Sequence, residues 1–148
     1  MPEGEYYIYY ENGKIKEKGN YLNGEKSGIN LEYFNDGKIH LKKTFINGIL
    51  NGELILYNED GKIEIIENIS GDETHGESFI YFENGKLRQK LNYINGVPEG
   101  EIISYKKNGK LIKKENYKKG ILDGETFFFN KKGKIQVKEF YVNGVLKN

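Results

Sequence analysis

Apolar and polar residues alternate along this chain in short runs, and each run ends at a glycine. In the stretch GESFIYFENGKLRQKLNYINGVPE, from Gly76 to Glu99, Phe79 and Tyr81 alternate with more polar neighbours up to Glu83-Asn84-Gly85, a hairpin signal. A second run from Lys86 to Ile94 ends at Asn95-Gly96. No apolar stripe at i, i+3, i+4, i+7 persists between glycines, so the period is that of strands and not of helices. The stretch predicts strand, tight turn, strand, looser turn.

That pattern returns every 24 residues. Gly13, Gly37, Gly61, Gly85, Gly109 and Gly133 are each followed by lysine, and then by Ile or Leu. An aromatic precedes each of them by four residues, from Tyr9 to Phe129. A second glycine series, Gly4, Gly28, Gly52, Gly76, Gly100 and Gly124, opens each unit. A third runs Gly24, Gly48, Gly96, Gly120, Gly144, with Asp72 in its gap and Gly71 displaced by one. Such regularity defines a repeat protein. The expected fold is all-β: six tandem 24-residue β-hairpin repeats forming an elongated, twisted single-layer antiparallel meander sheet of about twelve strands. One repeat domain spans 1–148, with units 4–27, 28–51, 52–75, 76–99, 100–123 and 124–147.

Side-chain chemistry selects the turn. A two-residue type I′ loop needs positive φ at both central residues, and Lys132-Gly133 in the sixth copy argues against it, because lysine resists positive φ. A three-residue loop, type I with a bulge at the glycine, needs it at the glycine alone. It also pairs Tyr81 with Leu87, whereas the shorter loop pairs Tyr81 with Arg88. The bulged hairpin is preferred. One face is then regular, with columns at Tyr7, Leu31, Ile55, Phe79, Ile103, Phe127 and at Tyr9 through Phe129, joined by Tyr21, Phe45, Ile69, Tyr93, Tyr117 and Tyr141. These rings are expected to bury one another across adjacent units. The other face is irregular, with Tyr6, Ile8 and Tyr10, then Leu54 and Leu56, then Ile80 and Phe82.

Composition excludes several classes. The chain has 148 residues, enough for one sizeable core, and its 12 Tyr and 8 Phe are too many for a disordered segment. The absence of cysteine removes disulfides, thiol nucleophiles and thiolate metal centres. No run of 18 apolar residues exists, and MPEGEYYIYY shows no export signal, which points to the cytoplasm.

Candidate chemistry is thin. His75 lies near Asp72, Glu73 and Glu77, but no second histidine or ordered ligand spacing accompanies it, so it reads as part of a polar loop. His40 shares its column with Lys16, Glu64, Arg88, Ile112 and Gln136 and reads as a surface residue. The serines lie in no nucleophile elbow, and the Gly-Lys pairs lack the rest of a phosphate loop. Neither catalysis nor a cofactor or metal is expected. Charge is unevenly placed: residues 1–74 hold 8 Lys+Arg against 14 Asp+Glu, net −6, and residues 75–148 hold 15 against 8, net +7. This suits an acidic partner or an anionic surface, or head-to-tail self-association through terminal strands. A single arginine, Arg88, argues against nucleic acid.

The unit G-E-x-Φ-x-[YF]-x-x-[NDK]-G-K-[IL] resembles the MORN-repeat variant of many bacterial proteins, over essentially the whole chain; standard MORN units carry Trp or Tyr after the opening glycine, and this chain has no Trp. The resemblance extends to the YwqK-type antitoxins. It implies a non-catalytic module that neutralises a protein toxin by masking it. The alternative is a peripheral membrane or scaffolding module on anionic lipid. The residues favoured for contact are Tyr6, Ile8, Tyr10, Ile80 and Phe82 on the irregular face, with Lys106, Lys107, Lys110, Lys113, Lys114, Lys118 and Lys119.

Overall fold

Strand-forming residues between regularly spaced glycines give sixteen strands and, among the described residues, no helix. The computed structural model describes residues 1–147; Asn148, the last residue of the expected repeat domain, lies outside them. The chain divides into two compact units, Met1–Glu73 and Thr74–Asn148.

In the first unit the strands are β1 (Gly4–Tyr9), β2 (Ile15–Leu22), β3 (Glu25–Tyr33), β4 (Ile39–Ile46), β5 (Ile49–Leu50), β6 (Gly52–Tyr57) and β7 (Ile63–Ser70). They form an antiparallel meander β1-β2-β3-β4-β6-β7, with β5 paired to β4. In the second unit they are β8 (Glu73–Tyr81), β9 (Leu87–Ile94), β10 (Val97–Pro98), β11 (Gly100–Tyr105), β12 (Leu111–Lys118), β13 (Ile121–Leu122), β14 (Gly124–Phe129), β15 (Ile135–Val142) and β16 (Val145–Lys147). The order is β8-β9-β11-β12-β14-β15-β16, with β10 on β9 and β13 on β12.

Twelve long strands make the six expected hairpins. The other four, β5, β10, β13 and β16, arise from the second turn, which is tighter than the sequence suggests. Asn23-Gly24, Asn47-Gly48, Asn95-Gly96, Lys119-Gly120 and Asn143-Gly144 all have positive φ at both residues, a two-residue type I′ turn. The chain pairs back at once, as in Ile46 with Ile49 and Ile94 with Val97, before the opening glycine breaks the ladder. Gly71-Asp72 keeps the same conformation with its residues exchanged, at φ 63° and 68°. The displaced glycine therefore leaves both central residues of the turn at positive φ.

The first turn is the bulged hairpin. Tyr9, Tyr33, Tyr57, Tyr81, Tyr105 and Phe129 pair with Ile15, Ile39, Ile63, Leu87, Leu111 and Ile135. In copy four Gly85 N–H donates to the Phe82 carbonyl and Phe82 N–H to the Lys86 carbonyl, both at 2.8 Å. Lys132 stays at negative φ, whereas Lys119, in the other turn, sits at φ 51°. Asparagine tolerates this region because its short side chain bonds the local backbone. Lys119→Asn is expected to stabilise the chain by about 0.5–1 kcal/mol, read as a higher urea midpoint at unchanged m-value.

A second irregularity determines which side chains meet. Tyr9 pairs with Ile15 but Ile8 pairs with Glu17, so Lys16 is an extra residue, and the other five copies repeat the slip. One extra residue moves every following side chain to the opposite face. The column of Tyr21, Phe45, Ile69, Tyr93, Tyr117 and Tyr141 therefore lies opposite the opening glycines, on the face of Tyr6 and Ile8 and not with Tyr7 and Tyr9. Tyr6 and Tyr21 confirm this by packing at 4.9 Å between ring centroids.

Burial follows that face. Asn30, Ser78, Thr126 and Ile102 are buried in the column that begins at Tyr6, with Leu91 opposite Ser78 and Ile69 opposite Gly52. On the regular face Ile55 alone is buried, while Tyr7 is 44% and Tyr9 56% exposed. The irregular face is the inner one in each unit, and the regular face is the outer, contrary to the expectation of buried aromatic columns.

Candidate functional site

Polar residues build three structures: a turn ladder at each end of the hairpins, from residues that recur, and a polar cluster on the inner face of the first unit, from residues that do not. At the bulged turns the recurring Gly-Lys lysine reaches the next hairpin. Lys14 Nζ donates to the Asp36 carbonyl at 3.1 Å and Lys38 Nζ to Glu59 at 2.6 Å. Lys86 Nζ donates to Asn108 at 3.3 Å and Lys110 Nζ to Lys131 at 3.0 Å. Asn12, Asp36, Asn84 and Asn108 accept from the lysine N–H two residues on. In copy six, where Lys132 replaces that residue, Asn130 accepts from both Lys132 and Lys134.

At the type I′ turns the second central N–H donates back to the preceding hairpin, as Gly48 to the Lys26 carbonyl and Gly120 to the Pro98 carbonyl. The first central N–H finds an acidic side chain: Asn23 bonds Glu3, Lys119 bonds Glu99 and Asn143 bonds Asp123. His75 occupies the same column, and its Nδ1 lies 3.4 Å from the Asn95 N–H and 3.1 Å from Asn95 Oδ1. It caps a turn. Among the described residues no group of three His, Cys, Asp or Glu comes together as a metal centre would require. His40 is half-buried with its ring on Phe34, centroids 4.3 Å apart, not the free surface residue its column suggests.

The inner face of the first unit holds a carboxylate that three donors share. Glu17 Oε1 accepts from Tyr6 Oη at 2.6 Å, from Lys26 Nζ at 2.8 Å and from Asn30 Nδ2 at 2.8 Å. Asn30 Nδ2 also donates to Tyr6 Oη at 2.6 Å. Burial would raise the Glu17 pKa, but the bonds from Lys26, Tyr6 and Asn30 outweigh it and hold the group down to about 2, from an ordinary 4.5. Burial likewise opposes the charge on Lys26, yet its bonds to Glu17 and Tyr6 push its pKa up. Burial and the bond to Glu17 push the Tyr6 hydroxyl up as well.

The outer face is half-exposed and alternates apolar with charged side chains. Tyr7 pairs with Lys18, Leu31 with Lys42, Phe79 with Lys90, Ile103 with Lys114 and Phe127 with Lys138. Lys90 and Lys138 lie over the rings of Phe79 and Phe127 at 5.7 and 5.4 Å. Glutamates of the opening column neutralise this row through the pairs Lys42–Glu53, Lys90–Glu77, Lys114–Glu101 and Lys138–Glu125.

Each unit places the residues favoured from sequence in its own way. Tyr6 is committed to the inner cluster, and Tyr10 Oη donates to the Tyr33 carbonyl at 2.6 Å. Ile8 is exposed, while Ile80 and Phe82 are half-buried, Phe82 beneath Arg88 at 5.9 Å. Lys113, paired with Glu115, is on the inner face, and Lys114, paired with Glu101, is on the outer. Lys106, Lys107 and Lys110 sit at the bulged-turn end, about 23 Å of strand away from Lys118 and Lys119 at the other end. Sequence reasoning passed over Gly19, Glu17, Lys26 and Asn30, and the exposed Ile29, which stands where the other five copies carry glutamate.

The hairpin geometry meets its counterpart among known sequences here. The profile described as the MORN repeat variant matches residues 2–23, 74–95, 98–119 and 122–143, more than half of the chain. The chain belongs to the MORN repeat variant family. Residues 24–73, which hold copy two and nearly all of copy three, lie outside the matched segments, yet β3–β4 and β6–β7 carry the same pairing and the same bulge. A search of curated proteins finds no match. As a MORN repeat variant, the protein is a repeat module whose recurring glycines and lysines are explained by turn geometry.

Proposed function

We infer that this module is a non-catalytic binding protein that acts by covering a protein partner, as an antitoxin or immunity protein covers a toxin. The outer face carries the reading. On it Tyr7, Tyr9, Ile29 and Ile39 stand exposed on a hydrogen-bonded sheet. Rigid rings and aliphatics on a fixed backbone lose little entropy on contact, which suits anchors. The lysine and glutamate pairs beside them supply a charged rim. Repeated polar groups, by contrast, are taken up in caps and ladders, which gives them a role without catalysis.

The test is co-expression with the product of the adjacent reading frame. Protection from its toxicity, with co-purification abolished by Tyr7→Ala/Tyr9→Ala, is the expected result. Protection that survives the double substitution would move contact off the outer face, and the absence of both protection and binding would remove the antitoxin reading.

A further inference from the structure

Positive charge without a carboxylate partner gathers at two turn tips of the second unit. Lys106, Lys107 and Lys110 surround Gly109, Lys131, Lys132 and Lys134 surround Gly133, and all six are exposed. The bond from Lys110 Nζ to the Lys131 carbonyl joins the two tips, on hairpins about 10 Å apart, into one cluster. Elsewhere in the unit Lys113, Lys114 and Lys138 are neutralised by Glu115, Glu101 and Glu125. Among the described residues no carboxylate pairs with any of the six tip lysines. The corresponding tips of copies one to four are mixed, with Glu11, Asp36, Glu59, Asp60 and Glu83 beside their lysines.

We propose that this lysine cluster docks a carboxylate-rich surface of a protein partner, an assignment that rests on the protein-binding reading above. Residues 106–110 and 131–134 include neither an aromatic to stack on a base nor an arginine to fork around a phosphate. They include no apolar side chain to enter a bilayer interface either. The tips are pre-shaped, because Asn108 and Asn130 hold their backbones from within. Ammonium groups fixed in this way steer an acidic partner and set its association rate and salt dependence.

Poly-L-glutamate is the probe, with phosphatidylserine vesicles and single-stranded DNA as competitors. Lys107→Glu/Lys132→Glu is compared with Lys118→Glu/Lys147→Glu, which changes net charge equally at the other end, and circular dichroism checks that both fold. In about 30 mM salt the tip variant is expected to bind polyglutamate at least about tenfold more weakly than the unmodified chain, and the control within about threefold of it. Equal losses, no binding of polyglutamate, or its displacement from the tips by vesicles or DNA would overturn the assignment. A protein partner bound equally well by the tip variant would overturn it too, while leaving the protein-binding reading in place.

Discussion

Gly19→Ala is expected to destabilise the first unit by about 2 kcal/mol, twice the cost of the same change at Gly13. Gly13 has φ 80° with open space around it, so alanine there suffers backbone strain alone. Gly19 needs no unusual backbone; it needs room. It pairs with Tyr6, and a Cβ on it would meet Asn30 Nδ2 and Tyr6 Cε1, each at 2.8 Å. Neither atom swings away freely, since both side chains are bonded to Glu17 Oε1. Either the ring and the amide shift and the Glu17 bonds lengthen, or the β1–β2 ladder opens. Urea denaturation of the two variants measures the difference, and a Gly19→Ala cost no larger than that of Gly13→Ala would show the cluster to be soft.

This glycine shows how far the sequence could be read. Period, hairpin count and the pairing of Tyr81 with Leu87 follow from residues that recur, because recurrence reports backbone geometry imposed in every unit. The facing of the strands was not legible, because it turns on a single extra residue at position 16 of the first copy and its equivalents. That column holds Lys16, His40, Glu64, Arg88, Ile112 and Gln136, a mixture with no bulge signature. Its side chains pack on the preceding aromatic where one exists, as Lys16 on Tyr10, His40 on Phe34 and Arg88 on Phe82. That one slip carries Tyr21 and its column to the inner face, and with them part of the aromatic surface expected on the regular one.

The inner cluster was hidden for the opposite reason. Its members are single departures from their columns: Gly19 where other copies carry Lys43, Glu67, Leu91, Glu115 and Glu139, and Asn30 where they carry Tyr6, Leu54, Ser78, Ile102 and Thr126. A repeat average erases such residues, yet they pack against one another because each departure compensates the next. The missing side chain at Gly19 makes room for the Tyr6 ring, and the Tyr6 hydroxyl and the Asn30 amide share the Glu17 carboxylate. Lys119, held at φ 51° in a turn that asparagine or aspartate fills elsewhere, is likewise visible as an exception only once the turn type is known.

The same carboxylate makes stability depend on acid in a way that one substitution removes. Glu17 has a folded pKa of about 2 against an ordinary 4.5, so between these values the unfolded chain binds the proton first. Its contribution is therefore complete above about pH 5 and is lost as pH falls toward 2. Glu17→Gln keeps an acceptor for Lys26 and Asn30 but cannot titrate. After discounting for the solvent that still reaches the site, the variant is expected to be about 1 kcal/mol less stable at pH 6 and nearly equal to the unmodified chain near pH 2.5. Every other carboxylate titrates in both proteins and cancels in the comparison. Denaturant midpoints at pH 6, 4 and 2.5 give the difference directly. A gap that stayed constant across this range would mean that the three donors hold Glu17 by shape and not by its charge.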